Sequence, residues 1–182
     1  SYARLMTPTL RILAASLALS TFGLAQEEKA PVFSAATADI GIVVKDLEKS
    51  AKFYTETLGL TEVKGFSVPA EKAAGLGLTD NQPATIRVFV LNPKAKGPKT
   101  KFKLMSFPDA PGKMQDQKFI HSSIGISYLT LLVTDMNKSV EKLKAAKVKL
   151  LGKTPTDLGG GKFIAVFHDP DGNYIELIGP KK

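Results

Sequence analysis

The sequence predicts an α+β fold built from two tandem modules, each consisting of a strand, a helix and three further strands (βαβββ). The hydrophobic patterns follow the same order in both halves of the chain, which is the signature of an internal repeat. A shift of 89 positions also superimposes identical residues: Val44, Asp46, Lys49 and Ser50 coincide with Val133, Asp135, Lys138 and Ser139. A segment rich in Pro, Gly, Asp and Lys separates the two halves. The chain is therefore interpreted as a duplicated unit.

The first module opens with the β-branched run Asp39–Val44, which predicts a strand, and Asp46 is a typical helix N-cap. From Leu47 to Leu58 the apolar residues recur every three or four positions, which predicts an amphipathic helix ended by Gly59. Three strands are predicted to follow, at Glu62–Val68, Thr85–Leu91 and Lys101–Phe107. The long connection Pro69–Ala84 has room for a helical turn.

The second module repeats this order. It is predicted to contain a strand at Tyr128–Val133, the cap Asp135, a helix at Met136–Ala146, and strands at Val148–Lys153, Lys162–Phe167 and Tyr174–Ile178. The predicted organisation is thus one domain at 37–180, made of module one (37–108), a linker (109–125) and module two (126–180).

The N-terminal segment predicts export. Arg11, the acid-free apolar run Ile12–Leu24 and the small residues Gly23 and Ala25 are typical of a signal peptide spanning 1–25. Residues 1–5 precede Met6 and are interpreted as a possible upstream remnant, while 26–36 form a flexible leader. An uncut membrane anchor is the alternative, but the run is shorter than the roughly 20 residues of a spanning helix. The expected location is therefore periplasmic or secreted, without stable membrane insertion.

Composition excludes several kinds of site. The chain has no cysteine, so it can have no disulfide, thiolate metal site or cysteine nucleophile. The formal net charge is +8, and a dense lysine run extends from Lys94 to Lys103, which we interpret as a solvated basic surface. Nucleic-acid binding is not expected, because there are three arginines and no tryptophan to interleave with the lysines.

Two segments carry a resemblance to a known family. The run Ile40–Ser50, continuing into Phe53-Tyr54 and Leu58-Gly59-Leu60, is similar to the module opening of the vicinal-oxygen-chelate superfamily, which includes glyoxalase, bleomycin-resistance protein and extradiol dioxygenase. The turn and strand Asp169–Leu177 resemble the module ending. The resemblance implies that the two modules form a pseudo-twofold, cup-shaped sheet with the helices outside, enclosing one cavity.

The resemblance also implies where a metal would be held. The corresponding positions are Asp39, Lys103, Tyr128 and Glu176, where the family usually has His or Glu. Only Glu176 is of the expected type, and the ammonium of Lys103 opposes a bound cation. Lys103 is expected to pair with Glu176 or Asp39 instead. No metal is therefore expected, and Glu176 and Asp39 would be the ligands if one is bound.

Strand alternation adds Met105 and Thr130 to the residues facing the cavity, so the predicted ligand-binding set is Asp39, Lys103, Met105, Tyr128, Thr130 and Glu176. His121 lies in the linker and His168 flanks the turn, so neither is expected at the cavity.

Three functions follow from the resemblance. The first is an exported protein that binds a small molecule without a metal, like the bleomycin-resistance branch. The alternative is a divergent lyase or isomerase resembling glyoxalase I (lactoylglutathione lyase), with a Zn, Ni, Mn or Fe ion. A dioxygenase is the third and weakest. If the chain is an enzyme, Glu176 and Tyr128 are the expected catalytic groups, with Asp39 as a further proton carrier. A small-molecule ligand is the expected partner, and a homodimer is left open.

Overall fold

The computed structural model describes residues 32–182, so the predicted signal peptide (1–25) and most of the predicted leader lie outside the described residues. Residues 32–36 are exposed and contain no helix or strand. Residues 35–182 form one compact unit. Within residues 32–182, no helix is long and apolar enough to cross a membrane.

The predicted duplication is confirmed by two four-stranded mixed sheets with identical topology. Module one consists of β1 (Ile40–Val43), α1 (Leu47–Lys52, continuing as a π-helical turn Phe53–Thr57), β2 (Thr61–Val68), α2 (Ala70–Gly75), β3 (Ala84–Val90) and β4 (Lys101–Met105). Module two consists of β5 (Tyr128–Leu132), α3 (Met136–Ala145), β6 (Thr156–Gly159), β7 (Lys162–His168) and β8 (Tyr174–Gly179). In each sheet the first strand is parallel to the last, and the order is β1-β4-β3-β2 and β5-β8-β7-β6.

Both helices after the first strands begin as the sequence predicts. Asp46 and Asp135 have extended backbone conformations, and their side chains accept hydrogen bonds from the backbone N–H groups of Lys49 at 2.9 Å and Lys138 at 3.2 Å. Such an N-cap satisfies one of the free N–H groups at the start of a helix. Because the same cap occurs in both modules, the repeat extends to individual hydrogen bonds.

One predicted strand is wrong. The segment 148–153 contributes only an isolated bridge between Leu150 and Phe167, and the strand itself begins at Thr156. Gly152 has a φ of +58°, a left-handed conformation that interrupts the extended backbone of a strand. The hydrophobic pattern of Val148–Leu151 instead reflects packing, since Val148 and Leu150 lie against the core.

The two modules share one hydrophobic core on the helix side of their sheets, and the helices lie mostly outside the sheets. Large side chains from both modules are fully buried there, among them Phe89, Phe102, Phe167 and Ile175. Burial of each such side chain stabilises the fold by about 1.5–3 kcal/mol. The opposite face of each sheet, here called the open face, carries the exposed residues Gly41 and Val43 in module one and Tyr128, Thr130 and Leu132 in module two.

A polar contact joins the modules beside this core. The hydroxyl of Tyr54, a fully buried residue of module one, donates to Oδ2 of the buried Asp169 in module two at 2.9 Å. Two residues further on, Asp171 accepts hydrogen bonds from the backbone N–H of Lys45 and from Ser50 Oγ, both at 2.9 Å. The β7–β8 turn of module two is thereby bound to the start of α1 in module one.

Candidate functional site

The register of module one brings together two of the predicted site residues. Lys103, in the middle of β4, lies beside Gly41 of the parallel strand β1, and Asp39 directly precedes that strand. The Nζ atom of Lys103 is 2.8 Å from Oδ2 of Asp39, so of the two partners expected for this lysine the structure shows Asp39.

Both carboxylate oxygens of Asp39 are bound. Its second oxygen, Oδ1, accepts a hydrogen bond from the backbone N–H of Lys101 at 3.2 Å. The hydrogen bond from the Lys103 ammonium outweighs the opposing effect of burial and lowers the pKa of the Asp39 carboxyl below its usual range. Asp39 is therefore an ionised partner of Lys103.

A cavity of about 750 Å³, here called the module-one cleft, opens next to this ion pair. Residues on the open face pair across the strands, with Val90 opposite Lys101 and Val63 opposite Val88. Directly opposed residues point to the same face of a sheet. The cleft is lined by the segment before β1, the open face and the β3–β4 loop, and its lining residues include Asp39, Val63, Val90, Pro98, Lys99 and Lys101.

In module two, a second pair of predicted site residues lies on the open face. Thr130 of β5 is the neighbour of Glu176 on the parallel strand β8, and its hydroxyl donates to Glu176 Oε2 at 2.7 Å. Tyr128 precedes this pair on the same face, where 48% of its surface is exposed. Its strand neighbour Tyr174 is buried, and the Tyr174 hydroxyl donates to the backbone carbonyl of Lys118 in the linker.

The predicted ligand-binding residues thus form two groups, one in each module. Asp39 and Lys103 are in contact in module one, where Met105 packs against a small cluster containing Ile86 and Val88. Thr130 and Glu176 are in contact in module two, with Tyr128 beside them. In the part of the chain that the structure describes, no hydrogen bond or ion pair connects the two groups. A single cavity lined by all of them remains a prediction.

The side chains at these positions do not fit the metal site that the resemblance implies. Zinc and related ions are held in proteins by imidazoles and carboxylates, whereas here an ammonium is bound to one of the two carboxylates. Between Val32 and Lys182, no three His, Cys, Asp or Glu residues are grouped closely enough to hold a metal ion.

Neither histidine has a hydrogen bond or ion pair to a predicted site residue in the described part of the chain, but His168 packs edge-on against Tyr174, the strand neighbour of Tyr128, with 4.3 Å between ring centroids. His121 is exposed and stacks on Phe119 in the linker, with 5.5 Å between ring centroids. His168 lines a separate cavity of about 260 Å³ together with Phe53, Val148 and Leu151. Its Nε2 atom is buried without a hydrogen-bond partner in the described residues, and burial lowers the pKa of the imidazole.

The sequence interpretation did not predict that Lys99 and Lys101 line a cleft, because it included both in a solvated lysine run. A signal was present, because strand alternation places Lys101 on the same face as Lys103. Val63 and Val90 carried no such signal, since either face of a half-buried strand can be apolar.

The comparisons with known proteins agree with this architecture. A family model described as the Glyoxalase/Bleomycin resistance protein/Dioxygenase superfamily matches residues 36–177. A solved glyoxalase family protein from Bacillus cereus is similar, with 18% identity, 84% of this chain and 99% of that chain covered, and a TM-score of 0.68.

Two further solved proteins share the fold. The trypanothione-dependent glyoxalase I of Leishmania major has 25% identity and a TM-score of 0.54, covering 79% of this chain and 84% of its own. A genomically encoded fosfomycin resistance protein from Listeria monocytogenes has 16% identity and a TM-score of 0.53, covering 82% of this chain and 96% of its own. These similarities concern the fold.

Proposed function

Because the chain belongs to the Glyoxalase/Bleomycin resistance protein/Dioxygenase superfamily, we propose that it is an exported protein that binds a small organic molecule in the module-one cleft without a resident metal ion. The observation that carries the metal-free part is the ion pair between Lys103 and Asp39, 2.8 Å long. It occupies two of the four positions that correspond to the superfamily's metal ligands.

The charges of this pair support the proposal. A divalent cation at Asp39 would lie within a few ångströms of the Lys103 ammonium, and at that distance the repulsion exceeds 1 kcal/mol even in a water-like dielectric. The remaining carboxylate, Glu176, is hydrogen-bonded to Thr130 in the other module. One carboxylate with a hydroxyl and a phenol is a weak donor set for zinc, nickel or manganese.

The dimensions of the cleft support binding of a small molecule. A volume of about 750 Å³ falls within the range of about 300–1,000 Å³ that is typical of small-molecule sites. Its walls combine the apolar side chains of Val63 and Val90 with the charged Asp39, Lys99 and Lys101. Sites of this kind use apolar surface for affinity and a few polar groups for orientation.

Calorimetric titration with Zn²⁺, Ni²⁺ and Mn²⁺, using protein purified without a His tag, tests the metal-free part. We expect no tight one-to-one binding by the unaltered protein. Lys103→Glu should increase the affinity for divalent metal by supplying an acidic ligand, whereas the matched change Lys144→Glu on the exposed side of α3 should not. Tight one-to-one binding that is lost in Glu176→Gln would contradict the proposal and favour the divergent lyase resembling glyoxalase I.

A screen of small organic molecules by thermal shift, with and without EDTA, tests ligand binding. A ligand that binds the native state raises the stability of the protein. Since EDTA removes divalent metal, a ligand that binds without a metal should stabilise the protein equally in both conditions. Stabilisation that disappears with EDTA would contradict binding without a metal.

Export is supported by the N-terminal sequence, in which Gly23 and Ala25 precede the polar residues Gln26–Glu28. Mass spectrometry of protein from the exported fraction should give a mature chain that begins at Gln26. Soluble protein that retains Met6 at its start would contradict export.

A further inference from the structure

The β3–β4 region of module one carries positive charge and contains no acidic residue of its own. Residues 81–108 contain no Asp or Glu, but they contain one arginine and five lysines: Arg87, Lys94, Lys96, Lys99, Lys101 and Lys103. Arg87 lies on the core side of the sheet, where Glu48 and Glu62 bind it at 2.9 and 2.7 Å. Lys103 is paired with Asp39. Among the described residues, no carboxylate lies within salt-bridge distance of the other four lysines.

Two of these four lysines, Lys99 and Lys101, line the module-one cleft. Asp39 is the acid in its wall, and both of its oxygens are already bound, one by the Lys103 ammonium and one by the Lys101 backbone. The Nζ atom of Lys99 donates to the carbonyl of Gly97 at a long 3.3 Å. The cleft therefore carries a net positive charge together with available ammonium donors.

Apart from Thr37, the other side chains of the wall are apolar. Val63 and Val90 come from the sheet, and Pro93 and Pro98 come from the β3–β4 loop. A ligand that satisfies both parts of the cleft has an anionic head and an apolar body. Ammonium groups on flexible side chains recognise the charge of an anion more than its geometry, so carboxylates and phosphates are both suitable heads. Among the described residues that line the cleft there is no aromatic or arginine side chain of the kind that binds single-stranded nucleic acids.

We propose that the module-one cleft binds a small amphipathic anion, with its carboxylate or phosphate head held by Lys99 and Lys101 and its apolar body against Val63 and Val90. This inference rests on the proposed small-molecule function and names the ligand class.

The test is an NMR titration of the full chain, with labelled valine methyl groups, using octanoate, octyl phosphate and the neutral 1-octanol as probes. The anionic probes should shift the Val63 and Val90 methyl signals and bind about tenfold more tightly than octanol. Their affinity should fall as salt is added, because partly exposed charges are screened. A preference between octanoate and octyl phosphate distinguishes a carboxylate from a phosphate ligand.

The double variant Lys99→Gln/Lys101→Gln should weaken the anionic probes about tenfold and leave octanol unchanged. Lys99→Arg/Lys101→Arg should retain binding, because the charge is kept. The matched control Lys142→Gln/Lys144→Gln removes the same charge from the exposed side of α3 and should have no effect.

Equal affinity for octanol and octanoate would overturn the anion inference but leave the small-molecule function standing. Equal loss of anion binding in both glutamine double variants would overturn it too, because the effect would then come from net charge. So would the absence of any shift at Val63 and Val90. Tight metal binding in the calorimetric experiment would instead contradict the proposed metal-free function and leave the anion inference standing.

Discussion

Removal of the Tyr54 hydroxyl tests whether the polar contact between the modules stabilises the fold. In Tyr54→Phe the ring and its packing are kept, including its edge-to-face contact with Phe53 at 5.6 Å between centroids. The change deletes only the hydrogen bond to Asp169, which is 2.9 Å long and connects two buried groups. Any loss of stability can therefore be assigned to that bond.

The expected loss of stability depends on the hydrogen bonds that Asp169 keeps after the substitution. Hydrogen bonds to charged groups contribute about 1.5–3 kcal/mol. After the substitution, Asp169 still accepts hydrogen bonds from the backbone N–H groups of Asp171 and Asn173 and from the Asn173 side chain, each at 2.9 Å. Since the carboxylate is not left unpaired, the loss should lie near the lower end, at about 1.5 kcal/mol. For a chain of this length, that corresponds to a decrease in Tm of about 3–6 °C.

In urea denaturation, the substitution should lower the urea concentration at the midpoint of unfolding. The dependence of the free energy of unfolding on urea concentration should not change. Tyr128→Phe is the matched control, because Tyr128 is 48% exposed and its hydroxyl has no hydrogen bond within the described residues. Surface changes of this kind alter the free energy of unfolding by less than about 0.5 kcal/mol. If Tyr54→Phe and Tyr128→Phe have equal stability, the inter-module hydrogen bond does not contribute and the reasoning is refuted.

Three further predictions concern individual groups. In Lys103→Met, the pKa of Asp39 should rise toward its usual value of about 3.9, because its cationic partner is lost. A ¹³C NMR titration of the carboxyl group measures this pKa, and the same value in both proteins would exclude the ion pair. Burial lowers the pKa of His168, so the unfolded chain binds a proton more readily and the free energy of unfolding should fall as the pH drops below about 6.5. His168→Gln should reduce this pH dependence of the free energy of unfolding, as measured by urea unfolding between pH 7.5 and 5.5. If the pH dependence is the same in both proteins, it does not come from His168. Finally, a Cβ at Gly65 would collide with the backbone carbonyl of Ile86, so Gly65→Ala should cost about 1–3 kcal/mol. Gly75→Ala in α2, where a Cβ meets nothing within 4 Å, should cost nothing in the same denaturation assay.

The local features of this fold could be predicted from the sequence because they depend on neighbouring residues. The caps at Asp46 and Asp135 require only a side chain and a backbone N–H three residues later. The turn before β8 requires Gly172, which has a φ of +86°. Alternation along β1 separates Ile40 and Ile42, which pack on the core, from the exposed Gly41 and Val43.

Contacts between distant parts of the chain were decided by the tertiary structure. The parallel register of β1 and β4 selects Asp39 as the partner of Lys103, whereas the sequence left both Glu176 and Asp39 open. Packing of the modules brings Tyr54 to Asp169 across the core. A periodic pattern assigns a side chain to a face, but its partner is fixed by strand register and module packing, which bring together residues that the sequence keeps far apart.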